Sequence, residues 1–145
     1  MGKWGDRLPE NVGLWGGDLI ISYLSRWVIP EYLLEKAKAA AINYHPASPE
    51  YPGIGCNNYA LYENAKEYEV TCHHMFATVD TGNIIVVKRF PIYQKDNVDT
   101  LLSRTYDFQI VFFYQIMGII LSDEVCPLQM SSGAENRLQE QKSMN

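Results

Sequence analysis

Three side chains in this sequence are of the types that could move an acyl group onto an amine: Asn43, His45 and Asp80. Asn43 and His45 close a short apolar run, Ala39 to Ile42, that reads as a buried strand. Alternate residues of a strand face the same side, so the amide and the imidazole project together. In open α/β sheets, ligands bind at the carboxyl ends of strands. Asp80 sits in Val79-Asp80-Thr81-Gly82, a turn by composition. Acyl transfer to an amine needs hydrogen-bond donors aimed at a developing oxyanion and a group that takes the amine proton. An Asn amide and an imidazole N–H can donate. An aspartate can orient the histidine and raise its pKa, or accept the proton through a water. Residue types alone leave a structural reading open, in which Asn43 closes its strand and Asp80 bonds its own turn.

The surrounding elements have to bring these groups together. Asp18 to Leu24 reads as a strand buried on both faces. Pro30 suits the first position of a helix over Glu31 to Ala39, where good helix formers place Leu33, Leu34 and Ala37 at helical spacing. Strand, loop, helix and strand over 18–45 make a βαβ unit with parallel strands. From Pro46 to Gly53 the chain holds three prolines, at 46, 49 and 52, and a closing glycine, which makes this a rigid irregular loop beside the polar pair. Cys56 to Glu63 reads as a short helix. Val70 to Phe76 and Asn83 to Ile92 read as an antiparallel hairpin, with Pro91 marking an edge or a strand end. Asp96 and Asn97 are candidate N-caps of a long helix over Val98 to Leu121. Its core stripe is Leu101, Leu102, Thr105, Phe108, Phe112, Ile116 and Ile119.

The bulk numbers narrow the class. The chain has 145 residues, 47% of them apolar and 20% charged, which suits one globular domain. A net charge of -5 argues against a broad phosphate-tracking surface, and so against nucleic acid as a partner. The three cysteines, Cys56, Cys72 and Cys126, show no paired spacing, which points to free thiols in a reducing compartment. Met1 to Pro9 lacks the apolar core of a signal peptide, and Phe108 to Leu121 is short for a membrane span. A cytoplasmic protein without a membrane partner is expected. Cys72-His73-His74 does not read as a metal site, because adjacent strand residues face opposite ways; structural or solvent-facing roles are expected for these histidines. Cys56 is expected to be packed and inert. Tyr51, Tyr59 and Tyr62 could each stack on a ligand base; core packing accounts equally well for Tyr59 and Tyr62, and Tyr51 in the loop is the candidate to keep.

Several of these motifs, in this order, resemble the folate-dependent formyltransferase family. They are Asn43-x-His45-Pro46, the loop to Gly53, Val79-Asp80-Thr81-Gly82-Asn83-Ile84-Ile85, Val70-Thr71-Cys72-His73, and the stretch from Asp18 to Pro30. The family includes glycinamide-ribonucleotide, methionyl-tRNA and amino-sugar-nucleotide formyltransferases. The resemblance covers about Asp18 to Leu121 and implies a Rossmann-like α/β fold, a mostly parallel sheet with flanking helices. It implies 10-formyltetrahydrofolate as formyl donor, with no metal. It also implies roles. Asn43 and His45 would stabilise the oxyanion at the formyl carbon, and Asp80 would pair with His45 and assist proton removal. Leu24, Ser25, Arg26, Trp27, Val28, Ile29 and Val79 would line the folate pocket, and Tyr51 and Gly53 would meet the acceptor.

The sequence departs from the family pattern in two places. Members usually carry a strand, a glycine-containing loop and a further βα unit before the equivalent of Asp18, where this chain has seventeen residues. The expected organisation is therefore an N-terminally shortened fold: an irregular lead-in over 1–17, a formyltransferase-type domain over 18–125, and a polar, disordered tail over 126–145. An exposed sheet edge would follow, and with it self-association. The loop Pro46 to Gly53 also lacks the basic character common in methionyl-tRNA enzymes. The expected activity is formyl transfer to the amine of a small acceptor such as an amino sugar nucleotide. The alternatives are an inactive folate- or partner-binding relative and a methionyl-tRNA formyltransferase-like enzyme.

Overall fold

The computed structural model describes residues 7–51, 55–78 and 80–122. A one-turn 3-10 helix, Glu10–Leu14, lies in the stretch expected to be irregular. Four strands follow: β1 (Gly17–Tyr23), β2 (Ala37–His45), β3 (Glu67–His74) and β4 (Ile84–Pro91). Between and after them come three helices, α1 (Glu31–Leu34), α2 (Cys56–Tyr62) and α3 (Val98–Leu121). The tail expected over 126–145 lies outside the described residues.

The sheet order is β1-β2-β3-β4. β1 and β2 are parallel, as a βαβ unit requires, but β2/β3 and β3/β4 are antiparallel. The sheet is thus mixed rather than mostly parallel. The reason lies in the β2–β3 connection. A parallel neighbour needs a crossover that returns the chain along the strand. Helix α2 has seven residues, about 10 Å of rise, against about 30 Å for the nine-residue β2. The chain therefore enters β3 near the end at which it left β2.

Two elements differ from expectation. The helix expected over Glu31 to Ala39 stops after one turn, and Ala37 already pairs with Gly17 of β1. Alanine has high helix propensity, but that preference is a fraction of a kcal/mol per residue and yields to strand pairing and burial of Ala40, Ala41 and Ile42. β1 is half-buried rather than buried on both faces, because it is an edge strand.

One sheet face carries the apolar core. Leu19, Ile21 and Tyr23 of β1, Ile42 and Tyr44 of β2, and Tyr68, Val70 and Cys72 of β3 pack with Phe112 and Ile116 of α3. Phe112 meets the Tyr44 ring at 5.9 Å, edge to face. Helix α3 starts in a reciprocal capping box, in which Asn97 Oδ1 accepts from Thr100 N–H and Thr100 Oγ1 accepts from Asn97 N–H. Its buried stripe is Leu101, Thr105, Gln109, Phe112 and Ile116. Ile119, expected in that stripe, is 39% exposed, and Gln109 is wholly buried. The Gln109 amide donates to the Tyr44 carbonyl at 2.9 Å and so ties α3 to β2 between Asn43 and His45.

Candidate functional site

The second face of the sheet is polar where β2 meets β3. Asn43 lies directly opposite His73, and His45 opposite Thr71. Antiparallel partners share a face, so these four side chains form one patch. Glu69 continues it two residues further along β3. His73 is 6% exposed, Thr71 2% and Glu69 6%. Buried polar groups need partners. Thr71 Oγ1 donates to the Ala47 carbonyl at 2.7 Å. Glu69 accepts from Ser48 Oγ at 3.0 Å and from Arg89 Nε.

Asp80 reaches this patch by an unexpected route. Because β3 runs against β2, its carboxyl end is not beside that of β2. The segment after β3 instead turns back onto the sheet. Asp80 takes a left-handed backbone conformation (φ 56°), uncommon for a residue with a side chain. A β-bulge lies beside it, where β4 slips register between Cys72 and His73. Gly82 passes so close to β3 that a Cβ there would stand 1.6 Å from the His74 carbonyl oxygen. The result places Asp80 Oδ1 3.5 Å from His73 Nε2.

The direct partner of Asp80 is therefore His73, not His45. His73 was expected to be structural or solvent-facing. It is instead the hub of the site: Asn43 Nδ2 lies 3.2 Å from its Nε2, and its Nδ1 lies 2.8 Å from the His74 carbonyl oxygen. A signal for this role was present in the sequence. Glu69, Thr71 and His73 alternate with apolar Val70 and Cys72, so one face of that strand is polar. His74, one residue on, points to the other face, as expected for adjacent strand residues.

His45 sits beside this hub, with its ring 6.5 Å from that of His73. Its Nε2 lies 3.5 Å from the Tyr51 carbonyl, a long contact in which only the nitrogen can donate. Burial pushes its pKa below the usual histidine value, and the Asp80 charge opposes this. Burial thus favours the neutral ring of His45. His45, Ser48, Pro49, Thr71, His73 and Asp80 line a cavity of about 110 Å³, together with Gly82 and Ile84.

The segment expected to hold folate begins next to His45, since Tyr23 pairs with Tyr44 at the shared carboxyl end of β1 and β2. Leu24 turns the chain there with φ 49°. Ser25 Oγ accepts from Trp27 N–H at 3.1 Å, which shapes the segment. Leu24 and Val28 are exposed, Arg26 is exposed, and Ser25, Trp27 and Ile29 are half-buried. The Trp27 indole N–H is buried without a hydrogen-bond partner.

The aromatic candidates divide. The Tyr51 ring stacks on Tyr68 at 6.4 Å, and its hydroxyl donates to Glu63 at 2.7 Å, which pushes its pKa up to about 12. Tyr51 meets the site through its carbonyl rather than its ring. Tyr59 and Tyr62 are 58% and 86% exposed, so core packing does not account for them; the short α2 buries Cys56, Asn57 and Ala60 instead. Gly53 and Val79 lie outside the described residues. Burial raises the Cys56 thiol pKa and pushes that of Cys72 up to about 12. Among the described residues, no group of three or more His, Cys, Asp or Glu side chains is arranged to hold a metal. No helix among them is long and apolar enough to cross a membrane.

This polar corner lies on a mixed α/β sheet, and comparison with known proteins gives the chain a family. The family described as formyl transferase matches residues 7–116, and the chain belongs to it. A methionyl-tRNA formyltransferase of Listeria innocua is 34% identical over 98 residues, which is 67% of this chain and 31% of that protein. One from Ehrlichia chaffeensis is 27% identical over 128 residues, 88% of this chain and 42% of that protein. The chain thus spans about a third to two fifths of the length of these curated relatives. Among solved structures, the phosphoribosylglycinamide formyltransferase of Streptococcus pneumoniae superposes with a TM-score of 0.62 at 25% identity, over 72% of this chain and 58% of that one. A 4-N formyltransferase of Francisella tularensis shares the fold, with a TM-score of 0.66 at 21% identity over 79% of this chain and 46% of that one.

Proposed function

We propose that this chain moves a formyl group from 10-formyltetrahydrofolate to the primary amine of a small acceptor, with an amino sugar nucleotide as the acceptor class. The observation that carries the reading is the gathering of His45, His73 and Asp80 on one cavity of roughly 110 Å³, with the Asn43 amide 3.2 Å from His73, in a formyl transferase family chain. That volume suits the reacting groups, a few heavy atoms on the scale of about 30 Å³ per water, and not a whole pterin. The segment from Leu24 to Ile29 fits the ring. It offers uncovered apolar side chains and a buried indole donor without a partner, at the edge of the sheet next to His45.

The donor, when bound, supplies the activated formyl carbon. The chain's own groups supply position and charge. His45, whose neutral ring burial favours, can trade its long contact to the Tyr51 carbonyl for a substrate oxygen. The Asn43 amide, held on the same face, is a second donor for an oxygen that gains negative charge. Asp80 and His73 together can take the proton that the amine gives up. The site's enclosure strengthens each of these interactions over its value in water.

Methionyl-tRNA as acceptor is favoured by the identity to the Listeria protein. A net charge of -5 weighs the other way, since a tRNA acceptor is held largely through its phosphates. The deciding experiment incubates the chain with 10-formyltetrahydrofolate and a panel of amino sugar nucleotides, glycinamide ribonucleotide and charged tRNA, with product detection by mass spectrometry. Formylated amino sugar that disappears with His45→Ala or Asp80→Asn supports the reading. Formylation of tRNA alone selects the second reading. No product with any acceptor, together with folate-analogue binding, leaves a binding protein; sedimentation then shows whether the β1 edge pairs two copies.

A further inference from the structure

We infer that His73 is the positioning residue of this site and that its protonation state decides which of Asn43 and Asp80 is available to substrate. The consequence for formyl transfer rests on the proposed function above; the exchange of partners itself rests on geometry alone. The Nδ1 of His73 faces a backbone carbonyl at 2.8 Å, and a carbonyl oxygen can only accept. Nδ1 therefore carries a hydrogen in every state of the ring. In the neutral ring, Nε2 is a bare acceptor, and it takes an N–H from the Asn43 amide at 3.2 Å. In that state Nε2 offers Asp80 nothing, although Oδ1 stands only 3.5 Å away. The carboxylate is then free to accept a proton from the cavity.

A proton arriving on Nε2 reverses the arrangement. The new N–H has a carboxylate within reach and donates to Asp80. The Asn43 N–H now faces another N–H and loses its acceptor, so the amide is released from His73. The proton comes from solvent, or from an amine that leaves its N–H electron pair on nitrogen as it bonds to carbon. In the second case the amide donor is delivered as negative charge develops on the neighbouring oxygen. The ring cannot evade the choice by turning. It is 6% exposed, pinned at Nδ1, and roofed by the Asp80 segment that Gly82 lets lie on β3. The titratable groups facing it are Asp80 from the segment after β3, His45 from β2 and Glu69 further along the same face of β3; His74, next to it in the strand, points to the other face but still feels its charge.

The test reads the imidazole directly by nitrogen-15 and carbon-13 NMR of the whole chain, from pH 5 to 9, without ligand. The expected high-pH state is the Nδ1–H tautomer of His73. Asp80→Asn removes the carboxylate that accepts from the protonated ring, so the imidazolium signals of His73 should weaken at a given pH relative to the unsubstituted chain. Asn43→Ala removes a donor to the neutral ring, so the same signals should strengthen. Asn43→Ser serves if the alanine variant loses its folded spectrum. The Nε2–H tautomer at high pH, or imidazolium signals of His73 that change in neither variant, overturns the inference. The same variants are then assayed for formyl transfer against pH, with His73→Gln expected to lower kcat at least tenfold and to flatten its pH profile while leaving KM for the amine within threefold. Partner exchange by NMR without turnover would count against the functional reading alone. Turnover with a wild-type pH profile in His73→Gln would count against His73 alone.

Discussion

Gly82→Ala should damage the site more than its size suggests. The added Cβ would stand 1.6 Å from the His74 carbonyl oxygen, where ordinary contact begins at 3.4 Å, so the segment carrying Asp80 must withdraw by roughly 1.8 Å. The obstacle is backbone in a paired strand, and it cannot rotate away as a side chain would. His74 N–H donates to the Asn83 carbonyl at 2.9 Å, so the same shift strains the return into β4. Overpacking of this kind costs about 1–3 kcal/mol. Taking about 2 kcal/mol, the midpoint of thermal unfolding should fall by roughly 4–8 °C for a chain of this size. The Asp80–His73 contact, now 3.5 Å, would open beyond hydrogen-bond reach. A misplacement of about 1 Å in a reacting geometry can cost about 10²-fold in rate, so the loss in kcat should be at least that. Calorimetry measures the first effect, the His73 titration the second, and turnover the third. A variant with wild-type unfolding, His73 titration and kcat would refute the placement of this segment on β3.

Asn97→Ala removes one half of the capping box and should cost about 1 kcal/mol, seen in chemical denaturation, with turnover unchanged because no residue of α3 lines the cavity. Asp96 accepts a bidentate pair of bonds from Arg104 at 2.6 and 2.8 Å, and this holds its carboxyl well below the usual carboxylate range. A depressed folded-state pKa gives stability that is full above the unfolded value of about 3.9 and is lost as pH falls through the folded value. Asp96→Asn should therefore lower stability at pH 7 and flatten its decline below about pH 4, measured by urea midpoints across pH. Gln109→Met removes the donor to the Tyr44 carbonyl, leaves that buried oxygen unpaired, and should cost about 1–3 kcal/mol together with a drop in kcat, since Tyr44 lies between Asn43 and His45. Cys72 is wholly buried with its thiol pKa pushed up to about 12, so iodoacetamide at pH 8 should leave it unmodified in the folded chain and label it after denaturation.

The sequence by itself determined whatever short-range physics controls. The long helix Val98–Leu121 follows from its apolar spacing and its Asn97 cap, and the strand ending in Asn43 and His45 follows from an apolar run broken at Pro46. The hairpin of β3 and β4 follows from two β-rich runs about a turn, and the family from the order of the motifs. Tertiary structure decided the rest. Ala37 to Ala41 became strand because β1 was there to pair with it, a gain that no local propensity contains. The sheet became mixed because α2 is too short to carry the chain back. That reversal sent the segment after β3 over the sheet face and gave Asp80 to His73 rather than to His45. Which histidine faces which carboxylate depends on strand direction and on one glycine's clearance, and both are set by contacts between residues distant in the chain.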